Sequence, residues 1–259
     1  MKIGYLFPVS CILMNFFYQS DNIFASSGII SRQDEMKTSC SINGSMERVL
    51  SKQEIDWRAR LATLPGSHQE AIIGSTEEGK ISYELDLSAQ NIRGEDIEGL
   101  SPYATFITKA DLSENMLDNN GLKTLSLLTE LRDLNLRENS FDNDGMRYIG
   151  ELTKITSLNI VYNKVTSSGI AFLSRMVNLR DFNVGYTHIG NEGVLEIVAQ
   201  IPHIRNLDIC SCGFDETVLD SLLKMPYLES IDISKNNIKK ENLEDFLIKM
   251  RERKVKIKY

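Results

Sequence analysis

Reactive chemistry in this chain would fall first to its three histidines and four cysteines. His68, His188 and His203 lie far apart, and none has a sequence neighbour that would complete a triad or a metal pair. His188 and His203 read as turn and loop residues. Cys210 and Cys212 stand two apart, a spacing that zinc sites do not use, and no further Cys or His pair lies near them. No G-x-S-x-G, P-loop or H-E-x-x-H motif is present. The expectation is therefore of no catalytic residue, no cofactor and no metal. What remains are side chains that bind rather than react, and they recur at a fixed interval. One column reads Asp86, Asp111, Asn135, Asn159, Asn183, Asp208 and Asp232, spaced by 24 or 25 residues. Beside it, Arg137, Val161, Tyr162 and Tyr186 cluster in the middle of the series, with His188 close by. Tyr and Arg are the types enriched where binding energy concentrates. The sequence thus predicts a partner-binding patch of Arg137, Val161, Tyr162 and Tyr186 over Asn135, Asn159 and Asn183, with Val161 and Gly185 adding exposed apolar surface to the tyrosines. The plainer reading of the Asp/Asn column is a repeat consensus with no ligand of its own.

The elements that position these residues follow from the same period. Leu131-Arg-Asp-Leu134-Asn-Leu136-Arg-Glu-Asn139-Ser-Phe141 returns as Ile155-Thr-Ser-Leu158-Asn-Ile160-Val-Tyr-Asn163-Lys-Val165, and in-phase units run from Ser82 to Ile238. Such fixed periodicity is the mark of a solenoid. Alternation at Leu134 and Leu136 predicts a short strand with one buried face. The ladder position after it reads Gln90, Asn115, Asn139, Asn163, Thr187, Cys212 and Asn236. There a small polar side chain turns the chain out of the strand and bonds to neighbouring backbone, which makes Cys212 a ladder residue rather than a reactive thiol. Apolar residues three apart, such as Leu122, Leu125 and Leu128, predict a helix in each second half. Asp118, Asp142, Thr166 and Asp215 stand where a capping oxygen is favoured. Gly121, Gly145, Gly169 and Gly193 imply a close approach of helix and strand, or an unusual turn.

The units resemble leucine-rich repeats, of the short helical subtype related to ribonuclease-inhibitor-like repeats, with bacterial GALA-type repeats as a relative. The resemblance covers residues 82–259. It departs from the pattern at Gln90, Thr187 and Cys212, and in having an apolar residue other than Ala after each repeat glycine. It implies an α/β solenoid with a parallel concave sheet and convex helices, whose exposed strand residues bind. On that basis the chain is expected to be a non-catalytic protein–protein interaction module, a secreted bacterial protein with its partner on the concave face. The alternatives are a cell-surface or envelope-associated adhesion protein, and a ubiquitin-pathway adaptor; Leu64-Pro65 and Ala71-Ile72-Ile73 faintly resemble the start of an F-box.

Flanking segments complete the expected organisation. Lys2, the apolar run Ile3–Tyr18 and the small residues Ala25-Ser26-Ser27 have the order of a signal peptide over 1–27, cleaved after Ser27 or Ala25; an uncleaved anchor is the alternative. Residues 28–45 read as a flexible linker. Residues 46–81 read as a helical N-terminal cap, with a helix over Met46–Leu64 carrying Trp57 and a second short helix around Gln69 to Ile73. Residues 82–259 form the solenoid, ending in an edge strand where Val255, Ile257 and Tyr259 alternate with lysines. A net charge of −7 without long basic runs argues against nucleic acid. Removal of the leader would leave Cys40, Cys210 and Cys212, an odd and low number for a disulfide scaffold, and no segment for stable membrane insertion. The location expected is secreted or cell-surface.

Overall fold

The computed structural model describes residues 72–77, 80–98, 100 and 104–259. The expected signal peptide, linker and Met46–Leu64 helix lie outside the described residues, as do His68 and Cys40. Among the described residues, alternation of apolar and polar residues gives nine strands: β1 (Ile72–Glu77), β2 (Lys80–Asp86), β3 (Ile107–Asp111), β4 (Asp133–Asn135), β5 (Ser157–Asn159), β6 (Asp181–Asn183), β7 (Asn206–Asp208), β8 (Ser230–Asp232) and β9 (Lys256–Lys258). They form one open sheet in chain order, parallel from β2 to β9, with β1 antiparallel to β2. Helices return the chain between parallel strands: α1 (Gly94–Ile97), α2 (Asn119–Leu125), α3 (Asn143–Ile149), α4 (Ser167–Ile170), α5 (Gly190–Gln200), α6 (Leu219–Leu222) and α7 (Glu244–Glu252). Short 3-10 turns extend or precede several of them, at Ala171–Arg175, Glu216–Val218 and Lys240–Asn242. This is the α/β solenoid expected from the repeat.

The short helix expected around Gln69 to Ile73 is corrected at its end, since Ile72 and Ile73 open β1. Both residues are β-branched, and the first parallel strand has an unpaired edge that a hairpin satisfies. The last described part of the expected helical cap is therefore a hairpin.

The core lies between sheet and helices. Leu134 of β4, and Leu136, Ile160, Val184 and Ile209 directly after β4 to β7, share one buried core with Met146, Ile170, Val194 and Leu222 from the helices. Phe141, Phe182 and Phe214 are its largest fully buried side chains. Each such side chain contributes roughly 1.5–3 kcal/mol of burial.

Two ladders of side-chain amides lock successive units. In the expected one, Asn115 Nδ2 donates to the carbonyls of Leu87, Leu112 and Ser113, and its Oδ1 accepts from the N–H groups of Gln90 and Ile92. Asn236 repeats the arrangement with Ile209, Ile233 and Ser234, accepting from Cys212 and Gly213. Thr187 and Cys212 keep only the donor side, both directed at the Val184 carbonyl, at 2.7 and 3.3 Å. A second ladder joins the helix starts. Asn119, Asn143 and Asn191 each exchange two hydrogen bonds with the cap residue of the next unit, Asp142, Thr166 and Asp215. Asp118, Asp142 and Asp215 also cap their helices, accepting from Gly121, Asp144 and Thr217. Thr166, expected to cap, makes no such bond, because its hydroxyl accepts from Asn143 instead.

Gly121, Gly145 and Gly169 serve helix-to-helix contact, not helix-to-strand contact, whereas a Cβ at Gly193 would meet Ile189 of its own unit. A Cβ at Gly145 would lie 2.7 Å from both Asn119 Oδ1 and Leu122 Cδ1 of the preceding unit. At Gly169 it would meet Asn143 Oδ1 at 2.7 Å.

Candidate functional site

Each strand ends in the same way, and this places the site. The Asp/Asn column accepts, through Oδ1, the N–H two residues on: Asn135 from Arg137 at 3.2 Å, Asn159 from Val161 at 3.1 Å, Asn183 from Gly185 at 3.2 Å, Asp208 from Cys210 at 3.0 Å. Asp86, Asp111 and Asp232 do the same toward Ser88, Ser113 and Ser234. Asp and Asn place a carboxylate or amide oxygen at the reach this turn needs, a stronger acceptor there than the Ser or Thr hydroxyl, which gives the repeat consensus its physical reason. The turn then needs a residue in the left-handed region, and Ala89, Glu114, Glu138, Tyr162, Tyr186, Ser211 and Lys235 supply it, with φ between 53° and 59°. Non-glycine residues there carry strain of about 1 kcal/mol or more. This turn aims a second column of side chains along one rim of the sheet.

The rim is continuous. Tyr162 and Tyr186 stack with ring centroids 4.4 Å apart and planes at 27°. The Arg137 guanidinium lies 6.0 Å from the Tyr162 centroid, held by Glu114 Oε1 at 3.0 Å and by Glu138. At the other end Lys235 Nζ sits 5.1 Å from the Tyr186 centroid and donates to the Tyr186 hydroxyl. Both cations use the electron-rich ring faces. Partial burial and the neighbouring Tyr186 raise the Tyr162 pKa, and the bond to Tyr186 raises that of Lys235. The structure thus brings together Arg137, Tyr162 and Tyr186 above Asn135, Asn159 and Asn183. Val161 departs from expectation. It is 7% exposed, closed over inside the turn, whereas Tyr162 is 45% exposed. Gly185 is likewise buried. The apolar patch is the two rings alone. Sequence reasoning missed Glu114, Glu138 and Lys235; the signal was their place one residue before the ladder, the same place as both tyrosines.

Below the rim, the floor has two columns. Beside the Asp/Asn column runs Lys109, Asp133, Ser157, Asp181, Asn206, Ser230 and Lys256, aligned by strand pairing. A groove of about 550 Å³ crosses the floor from Ser157 to Lys258. A hollow of about 320 Å³ connects the tyrosines to Asp208, Cys210 and Asp232. Lys258 Nζ reaches Asp232 at 2.7 Å. Burial raises the Asp232 pKa, but bonds from Lys258 and Ser234 outweigh it and hold the carboxyl below its ordinary value.

Asp208, Cys210 and Asp232 bring their ligand atoms within 4.8 Å of one another, the one such group among the described residues. The chemistry of the trio fits a metal poorly. Burial and the Asp208 carboxylate push the Cys210 thiol up to about 12, so it is protonated at neutral pH. Asp208 already accepts from the Cys210 N–H, and Asp232 from Ser234 and Lys258. Burial lifts Cys212 to about 11. His203 Nε2 lies 3.1 Å from the Met176 carbonyl oxygen, and His188 is an exposed residue whose backbone pairs with Thr166.

The family model for Leucine Rich repeat matches residues 151–174 and 176–198, the units that carry the tyrosines. No curated protein matches the sequence. Among solved structures, an internalin from Listeria monocytogenes is similar, with 15% identity and a TM-score of 0.48, covering 61% of this chain and 43% of that one. A plant peptide hormone receptor, RGFR1, in complex with RGF2 is similar with 19% identity and a TM-score of 0.40, covering 61% and 28%. The chain spans less than half the length of either. The residue pattern, the open parallel sheet and the two matched units agree on a leucine-rich-repeat solenoid fold.

Proposed function

We propose that this chain is a non-catalytic protein-interaction module, exported from a bacterial cell, whose partner seats on the concave face against Tyr162 and Tyr186. The observation that carries this reading is the stacked tyrosine pair, Tyr162 exposed and Tyr186 half-buried. Two aromatic rings in strained backbone, flanked by Arg137 and Lys235, form a rigid platform at the mouth of the hollow. Rigid aromatics bind at low entropic cost, because little freedom remains to be lost. The thiols support the non-catalytic reading, since both are held protonated. Among the described residues no helix is long and apolar enough to cross a membrane.

The test is affinity capture from candidate host extract with wild-type chain and with the double variant Tyr162→Ala, Tyr186→Ala. A partner of this site should bind the variant about 10-fold or more weakly, as loss of a hot-spot aromatic costs upward of about 1–2 kcal/mol. Equal binding would remove the site. Mass spectrometry of the exported product tests secretion. A start at residue 26 or 28 supports the soluble form, and an intact leader supports surface retention instead.

A further inference from the structure

The geometry points to a cationic occupant: an extended protein segment that directs arginine or lysine side chains onto the floor between β4 and β7. This deepens the concave-face reading above and rests on it. Among the described residues the floor carries more acid than paired lysines and arginines neutralise. Lys109 is paired with Glu84, and Lys258 with Asp232. Asp133, Asp181 and Asp208 have no lysine or arginine paired with them among the described residues. All three are half-buried on rigid strands. Asp181 and Asp208 stand on neighbouring strands and both line the groove. Among the described residues their donors are neutral: the Asn206 amide for Asp181, and the Cys210 N–H and thiol for Asp208.

Half-burial matters here. Carboxylates at a low-dielectric surface that lack a counter-charge attract a cation more strongly than fully solvated ones do. Adjacent to them, the Asn159 and Asn183 side chains have spent only Oδ1 on their turns, so each keeps an amide donor for a backbone carbonyl. A strip of carboxylates beside a strip of amide donors suits a peptide with basic side chains. The rim does not reverse this polarity. Arg137 is already held by Glu114 and Glu138, and Lys235 is engaged with Tyr186. Lys256, exposed at the far end, makes β9 the wrong place for a cation and restricts the site to the central strands.

The probe is a fluorescein-labelled (Arg-Gly)4 peptide, with (Glu-Gly)4 as its counterpart, titrated with full-length chain and read by anisotropy at low and high salt. The variant Asp181→Asn, Asp208→Asn keeps the fold, because Asn already occupies both columns, at Asn206 and at Asn183, and preserves the acceptor at the turn. The control, Glu151→Gln with Asp220→Asn, removes the same charge from exposed residues outside the groove. The expected result is (Arg-Gly)4 binding that weakens at least 10-fold in the floor variant, less than 2-fold in the control, and falls with salt. Equal loss in both variants, tighter binding of (Glu-Gly)4, or no binding of (Arg-Gly)4 overturns the inference. Tyr162→Ala, Tyr186→Ala separates the two readings. Acidic-peptide binding that depends on the tyrosines leaves the concave site and removes the cationic occupant. Cationic-peptide binding that depends on the aspartates but ignores the tyrosines does the reverse.

Discussion

Asn163 and Asn236 occupy the same position of the repeat and do not do the same work. Asn236 uses both ends of its amide, donating three bonds and accepting two. Asn163 donates to Leu136, Ile160 and Val161, but its buried Oδ1 has no donor among the described residues. The next ladder residue, Thr187, is too short to continue the pattern. Replacing Asn236 by Ala would strand carbonyls and N–H groups together, at about 1–3 kcal/mol for each buried group left unpaired. Asn163→Ala strands carbonyls alone and also relieves the unpaired oxygen. Urea unfolding should therefore show Asn236→Ala as more destabilising than Asn163→Ala, by at least about 1 kcal/mol. The reverse order would mean that the acceptor side of the ladder carries no stability. Thr187 and Cys212 were legible as ladder residues because size and polarity alone decide who fits. The missing acceptor was not legible, since it depends on which N–H groups a short side chain can reach across 24 residues. The tyrosines were legible by type, but their aim was not. A residue in the left-handed region projects sideways from the strand, and nothing in Val161-Tyr162 says which of the two is turned inward.

At the scale of the element, the helix glycines set two effects against each other. Alanine at position 145 would favour the helix by up to about 1 kcal/mol over glycine. Its Cβ would also sit 2.7 Å from Asn119 Oδ1 and Leu122 Cδ1, in a contact that must open. Overpacking of this kind costs about 1–3 kcal/mol. The clash wins, and Gly145→Ala should lower the midpoint of thermal unfolding despite its better propensity; a raised midpoint would show that α3 can slide. The helices themselves followed from apolar residues three apart, while their brevity at α4 and α6, with 3-10 turns beside them, did not. Repeat spacing fixes the distance a return segment must cover but not how tightly it winds. At the other end of the sheet, β9 is tied down by Lys258 on Asp232. The Asp232 carboxyl titrates below its ordinary value, about 3.9 for an aspartate. Its contribution is therefore complete above that ordinary value and is lost as pH falls through the depressed one. The protection factor of the Ile233 amide, which donates to the Lys258 carbonyl at 2.9 Å, should drop on acidification through that window. In Asp232→Asn it should be low already at neutral pH, because the amide still holds Ser234 but not the lysine charge. A protection factor unchanged in Asp232→Asn would mean that backbone pairing alone retains the strand.

The described residues form a stack in which each unit packs its strand and helix against those of its immediate neighbours, while at the rim Lys235 reaches Tyr186 across one unit. Such a stack has a gradient of stability from its middle to its ends, because an interior unit has two interfaces and an end unit one. The amides that cross between units read this gradient directly. Leu136, Ile160 and Val184 donate to Asn159, Asn183 and Asp208 in the interior, and Ile233 donates to Lys258 at the end. Interior amides can exchange only when the stack opens widely, whereas the terminal one exchanges when β9 frays. Leu158 is 1% exposed at the centre of the core, and Leu158→Ala should cost about 2–5 kcal/mol. Because opening the middle forfeits two interfaces at once, that loss should appear almost equally at Leu136, Ile160 and Val184, as a common fall in their protection factors. Ile257→Ala, on the half-buried edge strand, should lower protection at Ile233 and leave the three interior amides unchanged. Loss confined to the mutated unit in Leu158→Ala would mean that the units open one at a time. In that case the rim of Arg137, Tyr162, Tyr186 and Lys235, which spans unit boundaries, could not hold its shape independently of a partner. A common fall in all three instead identifies the platform as part of a single cooperative body, set in place before anything binds.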